Sequence, residues 1–257
     1  MTEQVDFSRR FGGVARLYGA AGLAKLQSAH IVVVGIGGVG SWAAEALARN
    51  AVGNITFIDL DNVAESNFNR QLHAVDGNVG KAKVTAMRER ILGINPTCQV
   101  QTIEDFVTVE NIRTLFNFSC DGVVDCIDQA EAKAALAAYC GSHNIPLVMA
   151  GGAGGRLDPT RIQAADLSQV NNDKLLAKVR TMLRADYGYA KGNSNPKKTA
   201  KMGVSCVFSD EIAMKPETAC ATDAISGLNC AGYGSSVCVT APMGFAVVAA
   251  LLQQILH

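Results

Sequence analysis

A glycine-rich segment that follows an apolar run is the first feature of the sequence that predicts chemistry. Its glycines are Gly35, Gly37, Gly38 and Gly40. They follow the β-branched run HIVVV and precede a stretch with apolar residues at helical spacing. A glycine turn between a strand and a helix presents unpaired backbone N–H groups, which together with the helix dipole favour a phosphate. The segment therefore predicts a nucleotide-binding loop, with a tight turn that binds nothing as the alternative.

Acidic residues end the next apolar run, NITFIDL, and they are Asp59 and Asp61. A carboxylate at the end of the second strand of such a unit accepts hydrogen bonds from a ribose hydroxyl. We therefore expect Asp59 to contact a ribose. Strand, turn, helix and acid together are typical of any adenine nucleotide site, and an NAD or FAD oxidoreductase is the default interpretation.

Cations and amides follow these acids. They are Asn67, Arg70, Gln71 and Lys83. Two cations beside the ribose acid suit a triphosphate better than a dinucleotide, whose two phosphates need little side-chain charge. Taken singly, Lys83 reads equally well as a solvated helix lysine, and Arg70 as part of a surface ion pair. The cluster as a whole favours ATP over a nicotinamide or flavin cofactor.

Asp125 and Asp128 lie at the carboxyl end of the fourth predicted strand, where parallel sheets bind ligands. Side chains alternate along a strand, which points Asp125 elsewhere. Asp128 is therefore the better candidate to bind Mg²⁺, a cation that prefers oxygen ligands.

The elements that must position these residues alternate between strands and helices. Predicted strands span 30–35, 54–60, 99–104, 122–127, 147–150 and 204–209, and predicted helices span 20–27, 41–50, 81–92, 109–116, 130–143 and 173–184. This alternation predicts an α/β fold with a Rossmann-like, mostly parallel sheet and helices on both faces. Residues 237–241 (VCVTA) are predicted to be strand-like and to precede an apolar helix.

The 257 residues are expected to form a single domain with a C-terminal extension. Its expected parts are a nucleotide-binding part at about 20–150, a basic substrate-facing part at about 151–202 and a C-terminal strand and helix at about 203–257. Because the formal net charge is zero, no global field indicates a nucleic-acid partner. Residues 155–201 nevertheless hold ten Lys and Arg and four Asp, a net charge of +6. Such a cluster on a helix and an adjoining mobile loop favours an RNA backbone over an ordinary solvated face.

The segments VVVGIGGVGSW, DLDNVAESNFNRQ, GKAK and DCID, in this order and spacing, resemble the adenylating domain of ubiquitin-activating-type enzymes. The resemblance implies adenylation of a carboxylate with ATP and Mg²⁺. By matching position it implies Asp59 on the ribose, Asn67, Arg70 and Lys83 on the phosphates, and Asp128 on the magnesium. The segment FGGVARLYG is similar to the family's leading arginine segment, which implies that Arg16 reaches the nucleotide of a neighbouring subunit in a homodimer.

The later segments LLAKVR, KKTAKMGVSCVFS and NCAGYGSSVCVTAPMGF are similar to the branch that acts on transfer RNA, the threonylcarbamoyladenosine dehydratases. That resemblance implies an ATP-dependent cyclisation of the threonylcarbamoyl group on a modified adenosine. Cys230 matches the cysteine that the family places near the adenylate, and a thioester intermediate and an inert structural cysteine are equal alternatives for it. A cysteine desulfurase partner is implied by the family alone.

None of the eight cysteines forms a Cys-x-x-Cys pair, so no zinc is expected. This absence disfavours the nearest rival, a sulfur-carrier adenylyltransferase that acts on a C-terminal Gly-Gly carboxylate. A non-catalytic RNA-binding or sulfur-relay scaffold is a third reading, which the intact acids and cations disfavour. Cys126 and Cys238 are expected in the core.

The polar first ten residues do not resemble a secretory signal, and we expect reduced thiols and a cytoplasmic protein. The C-terminal apolar run is short and is broken by Pro242. We expect it in a core or a dimer interface, in preference to a membrane.

Overall fold

A computed structural model describes residues 6–193, 199–214 and 233–257. The strands are β1 (His30–Val34), β2 (Asn54–Ile58), β3 (Gln99–Ile103), β4 (Gly122–Asp125), β5 (Leu147–Ala150), β6 (Ile162–Asp166) and β7 (Ser205–Ser209). The α-helices are α1 (Phe7–Ser28), α2 (Gly40–Arg49), α3 (Lys83–Ile94), α4 (Ile112–Leu115), α5 (Ala130–Ser142), α6 (Lys174–Asp186) and α7 (Val237–Leu256). Short 3₁₀ turns cover Glu65–Asn67, Pro159–Arg161 and Leu167–Gln169.

The described strands form one sheet in the order β3-β2-β1-β4-β5-β7-β6. Every neighbouring pair is parallel except β6 and β7, which are antiparallel. The predicted mostly parallel α/β sheet is therefore confirmed. The strand order reverses at β1, between β2 and β4, and ligands bind to open α/β sheets in the crevice at such a reversal, beyond the carboxyl ends of the strands.

The sheet is buried on both faces, because successive side chains of a strand point to opposite sides. On β1, Ile31 and Val33 join one core cluster, and Val32 and Val34 join the other. Residues of α2, α3 and α7 pack in the first cluster, and residues of α4, α5 and α6 pack in the second. Helices therefore cover both faces, as expected.

The first helix is longer than the predicted 20–27. It begins at Phe7, after Asp6, whose side chain accepts a hydrogen bond from the Arg9 backbone N–H. Glycines weaken the helical pattern of this segment, and Gly19 has a non-helical φ of 77°. Burial of Phe11 and Leu26 on the rest of the fold outweighs the low intrinsic helix propensity.

The antiparallel edge strand β6 was not predicted, because its sequence IQAAD alternates only weakly. The predicted strand at residues 237–241 is wrong, since these residues form the first turns of α7. The Ser236 side chain caps α7 by accepting a hydrogen bond from the Cys238 N–H at 3.2 Å. Pro242 lies inside the helix, where its missing N–H leaves one carbonyl of the previous turn without its bond.

Cys126 and α7 pack against the core, whereas Cys238 does not. Cys126 packs against the core, as expected, but Cys238 is exposed, so the core prediction is wrong for that residue. Among the described residues, α7 is the one helix long and apolar enough to cross a membrane. More than half of its most apolar window is buried, and it packs against α2 and the sheet, which is how a core helix of a soluble fold also behaves.

Candidate nucleotide-binding site

The loop between β1 and α2 needs glycine for steric reasons at two positions. Gly35 has a φ of +84°, and a Cβ there would lie 3.0 Å from the Cys126 backbone. A Cβ on Gly40 would overlap the Gly35 carbonyl oxygen. A Cβ on Gly37, in contrast, would meet no atom within 4 Å. Internal packing therefore explains Gly35 and Gly40, whereas the space beside Gly37 lies open to a ligand.

Asp59 ties this loop to the end of β2. Its carboxylate accepts hydrogen bonds from the backbone N–H groups of Ile36, at 2.5 Å, and Asp61, at 2.8 Å. Burial raises the pKa of Asp59, and the positive charge of Lys83 opposes that rise. The predicted ribose acid is thus held rigidly at the carboxyl end of the sheet, beside the glycine loop.

Lys83 is the first residue of α3 and is only 6% exposed. Its ammonium group donates to the Asp61 carboxylate at 2.6 Å. Asp128 is half-buried, and this burial raises its pKa. The negative charge of Asp61 raises the pKa further, whereas the positive charges of Lys133 and Lys83 lower it. The structure therefore brings Lys83, Asp61 and Asp128 into one electrostatic environment, although they follow different strands.

Arg70 is placed over the glycine loop by contacts to its backbone. Its carbonyl oxygen accepts hydrogen bonds from the Trp42 indole N–H at 3.0 Å and the Thr240 hydroxyl at 3.4 Å. Its side-chain Cγ lies 3.4 Å from the position of a Cβ on Gly38. Its guanidinium donates to the Ser66 carbonyl and to the Asn69 amide oxygen. Sequence reasoning missed Trp42 and Thr240, which come from α2 and α7.

The remaining predicted amides lie in the same loop. The side-chain oxygen of Asn67 accepts from the Ala64 N–H at 3.1 Å and so stabilises a turn. Gln71 is buried, and its side-chain oxygen has no hydrogen-bond partner in the described part of the chain. His73 is 3% exposed, and its two ring nitrogens also have no hydrogen-bond partner among the described residues. Sequence reasoning assigned His73 no role, although its position two residues beyond Gln71 was the available signal.

His73 makes the stability of the fold depend on pH. Burial lowers its pKa from 6.5 to about 4, and the charge of Lys83 adds to the effect. Between about pH 4 and pH 6.5, His73 carries a proton in the unfolded chain but not in the folded chain. The stabilisation is therefore complete above pH 6.5 and is lost as the pH falls toward 4. The unfolding free energy should fall by about 2 kcal/mol from this group between about pH 7.5 and pH 5.

Urea unfolding of the wild type and of His73→Phe at the two pH values measures this contribution. The variant should show a smaller loss on acidification, because phenylalanine cannot take up the proton. His143→Gln, at the exposed C-cap of α5, is the matched control and should behave like the wild type. Equal pH dependence in all three proteins would contradict the prediction.

A fully buried ion pair underlies the segment that carries Asp128. The Lys133 ammonium donates to the Asp125 carboxylate at 2.9 Å and to the Ile127 carbonyl at 2.9 Å, and both charged side chains are 0% exposed. Asp125 thus points away from the ligand crevice, as expected, and it helps to position Asp128. Lys133 could not be identified from the sequence, because its partner Asp125 lies eight residues earlier across a turn.

One predicted residue of the described part of the chain, Arg16, is not brought into this arrangement. Arg16 is exposed on α1, and Arg10 of the same helix donates to the carbonyl of Ile94, the last residue of α3. Lys83 begins α3, and a 12-residue helix is about 18 Å long, so the Arg10 end of α1 lies at the far end of α3 from Lys83. Cys230 lies outside the described residues. Within those residues, no group of three or more His, Cys, Asp or Glu side chains is arranged to hold a metal ion.

The chain is similar in sequence and in structure to known proteins of one family. A model of the ThiF family matches residues 8–255. The chain is 48% identical to the tRNA threonylcarbamoyladenosine dehydratase of Escherichia coli (strain K12), over 96% of this chain and 94% of the relative. It is 45% identical to the tRNA threonylcarbamoyladenosine dehydratase of Haemophilus influenzae (strain ATCC 51907), over 98% of this chain and 95% of the relative. The crystal structure of the E. coli enzyme in complex with ATP superposes with a TM-score of 0.87 at 46% identity, over 99% of this chain and 97% of that one.

Proposed function

This chain belongs to the ThiF family, and we propose on that basis that it is an ATP-dependent tRNA threonylcarbamoyladenosine dehydratase. One structural observation carries the proposal. The glycine loop after β1, Asp59 after β2 and Asp128 after β4 converge with Lys83 and Arg70 at the point where the strand order reverses. Relatives that carry this enzyme's name match nearly the whole chain, and one of them was crystallised with ATP.

Within this proposal the glycine loop and its neighbours bind ATP. The open space at Gly37 and the helix that starts at Gly40 accept a phosphate, and Asp59 accepts a hydrogen bond from the ribose. The side chains that contact the phosphates are Asn67, Arg70, Gln71 and Lys83. Asp61 holds the Lys83 ammonium in place at 2.6 Å. The unpartnered oxygen of Gln71 and the nearly complete burial of Lys83 support these roles.

Asp128 would bind Mg²⁺, with Asp61 close enough to influence its titration. The donor set fits, since carboxylate oxygens are hard ligands, and Mg²⁺ typically takes one or two of them with water and substrate phosphates. When bound, Mg²⁺ supplies positive charge that neutralises the phosphate oxygens. No zinc is expected.

The reaction begins when a carboxylate oxygen of the substrate attacks the α-phosphorus of ATP and pyrophosphate leaves. Lys83 and Arg70 neutralise charge that develops on the phosphate oxygens. A nucleophile within the threonylcarbamoyl group then attacks the activated carbonyl carbon, and the bond to AMP breaks. The ring closes, AMP carries away the carboxylate oxygen, and the modified adenosine has lost one water overall.

The domain organisation, the oligomeric state and the roles of Arg16 and Cys230 involve residues outside the nucleotide site. We propose that the whole chain, 1–257, functions as a single adenylating domain, which the family match over 8–255 supports. We also propose a cytoplasmic homodimer in which Arg16 contacts the nucleotide of the neighbouring subunit. Arg10 of the same helix contacts the end of α3 that lies away from Lys83 of its own chain, which supports that role. Cys230 could carry the acyl group as a thioester, but an internal cyclisation does not require it. A cysteine desulfurase partner rests on the family resemblance alone.

The alternative, a sulfur-carrier adenylyltransferase, is less supported. It would use the same nucleotide site and the same attack on ATP, so the site alone does not separate the two activities. The relatives that match nearly the whole chain carry the dehydratase name.

The decisive experiment incubates the protein with ATP, Mg²⁺ and tRNA that carries threonylcarbamoyladenosine. We expect AMP release and the loss of one water from the modified nucleoside, measured by mass spectrometry. A parallel reaction with a small ubiquitin-like protein that ends in Gly-Gly tests the alternative. An acyl adenylate formed on the C-terminus of that protein with release of pyrophosphate, while the nucleoside stays unchanged, would overturn the dehydratase assignment.

A further inference from the structure

A second cleft lies away from the nucleotide site, between the second half of α6 and the 3₁₀ turn that follows β6. Its volume is about 600 Å³, and the residues that line it include Ser168, Asn171, Arg180, Arg184, Gly192 and Asn193. We call it the α6 cleft. None of the described residues that line it is acidic.

The two guanidinium groups of the α6 cleft are held by carbonyl oxygens. Arg180 donates to the carbonyls of Leu167, at 3.0 Å, and Val170, at 2.7 Å. Arg184 donates through its Nε to the Ala190 carbonyl at 3.1 Å, and its guanidinium lies 3.2–3.4 Å from the position of a Cβ on Gly192. Carbonyls fix the direction of these side chains but do not neutralise their charge.

The two positive charges also act on each other. Burial lowers the pKa of Arg180, and the neighbouring charge of Arg184 lowers it further. Asp186, two residues beyond Arg184 on α6, is exposed and forms no ion pair with either arginine in the described part of the chain. Asp166 precedes the 3₁₀ turn of the cleft, and its carboxylate accepts from the backbone N–H groups of Ser168, Met202 and Gly203. It caps a turn and forms no ion pair with either arginine among the described residues. Two rigidly held, unneutralised guanidiniums in a polar cleft are the chemistry that recognises a phosphate.

The position of α6 connects this cleft to the nucleotide site. Its N-cap, Asp173, accepts from the Gly152 N–H at 2.8 Å, so α6 starts at the loop that follows β5. That loop lies at the same edge of the sheet as Asp128, because β5 pairs with β4. Lys174 and Lys178 are exposed on successive turns of the helix. The rise along α6 from Asp173 to Arg184 is roughly 16 Å, and the two exposed lysines lie between these residues.

We propose that the α6 cleft binds a backbone phosphate of the substrate RNA, several nucleotides away from the adenosine whose carboxylate is adenylated. The identity of the RNA rests on the proposed function, whereas the phosphate chemistry rests on the cleft itself. Lys174 and Lys178 bind intervening phosphates along the exposed side of α6. The contact supplies affinity and orientation and carries no base specificity.

Binding of unmodified tRNA as a function of salt concentration tests the α6 cleft without any catalysis. Each lost phosphate contact lowers the slope of log K against log salt by roughly 0.7–0.9. Arg184→Gln should therefore reduce the slope by about that amount and weaken binding about fivefold to tenfold at roughly 0.1 M salt. Arg184→Lys keeps the charge and should retain the slope. Arg88→Gln, an exposed arginine on α3, is the matched control.

Lys178→Gln is a second variant, which removes an exposed charge on α6. It should lower the slope in the same way, so the test stands even if Arg184→Gln unfolds. Slopes for both variants equal to that of Arg88→Gln would overturn the proposal. If inorganic phosphate binds in the α6 cleft and RNA binding does not change, the cleft is a site for a free anion. That result would also overturn the proposal.

The two proposals fail in different ways. If the cleft proposal holds and the dehydratase proposal fails, salt-dependent binding of tRNA changes in the variants while no water is lost from the modified nucleoside. If the reverse is true, dehydration proceeds and KM for the modified tRNA in Arg184→Gln equals that of Arg88→Gln. With both correct, Arg184→Gln raises KM for tRNA and leaves kcat and the affinity for ATP unchanged.

Discussion

Replacing Lys83 with methionine is expected to slow AMP release on modified tRNA by about 10²- to 10³-fold. Methionine keeps the apolar length of a side chain that is only 6% exposed, but it removes the ammonium group that would face the phosphates. Its partner Asp61 has a side chain that is 54% exposed, so the released carboxylate is solvated and the fold should tolerate the change. Single-turnover AMP release measures the rate.

Lys81→Met is the matched control for this experiment. Lys81 lies two residues earlier and pairs with Glu89 at 2.8 Å, at a site where both side chains are more exposed. Surface pairs of this kind contribute about 0–1 kcal/mol, so the control should keep nearly full activity and stability. If Lys83→Met were as active as Lys81→Met, Lys83 would have no role in binding phosphates.

Replacing Lys133 with methionine is expected to lower the free energy of unfolding by about 3–5 kcal/mol. The change leaves the Asp125 carboxylate at 0% exposure without its cation, and one of its oxygens already has no partner among the described residues. Because the same ammonium also binds the Ile127 carbonyl, the segment that leads to Asp128 should loosen. Urea unfolding gives the free energy, and AMP release reports the effect on the site.

The double variant Asp125→Leu/Lys133→Met separates loss of the charge pair from loss of packing. Removing both charges together leaves no buried ion without a partner, so most of the lost stability should return. Activity need not return with it, because Asp125 also accepts from the Ile127 N–H at 3.2 Å. A single variant that loses less than about 1 kcal/mol would show that the pair does little for the fold.

The two substitutions therefore act on different levels of the same site. Lys83 would contact the ligand, so its loss should slow the reaction of a folded protein. Lys133 acts through Asp125 and Ile127 on the backbone before Asp128, so its loss should reduce stability first. Measuring both rate and unfolding free energy for each variant distinguishes a catalytic residue from a positioning residue.

Much of the fold could be predicted from local patterns in the sequence. Buried parallel strands appear as continuous β-branched runs, and the glycine turn after His30–Val34 fixes where the sheet meets a helix. The carboxyl ends of parallel strands lie at one edge of the sheet, so the sequence assigns Asp59 and Asp128 to the bound nucleotide and its Mg²⁺. The resemblance of the motifs to a known family then indicated ATP and a carboxylate substrate.

Other features could not be predicted, because they depend on contacts between distant parts of the chain. The run VCVTA has the composition of a strand, yet packing against α2 and the sheet makes it helical. Thr240 fixes the carbonyl of Arg70 across 170 residues of sequence. The pairing of β6 with β7 likewise follows from the position of β7 beside β5.

The sequence by itself thus determined most of the strands and helices and their order, the phosphate loop and the residue types that could bind ATP, since these follow from local propensity and spacing. Only the tertiary structure decided which side chains share an environment. It buried the Lys133–Asp125 pair, placed His73 beside Lys83, and, within the described residues, paired neither Arg180 nor Arg184 with a carboxylate. Burial and charge pairing depend on three-dimensional proximity, which local sequence patterns do not contain.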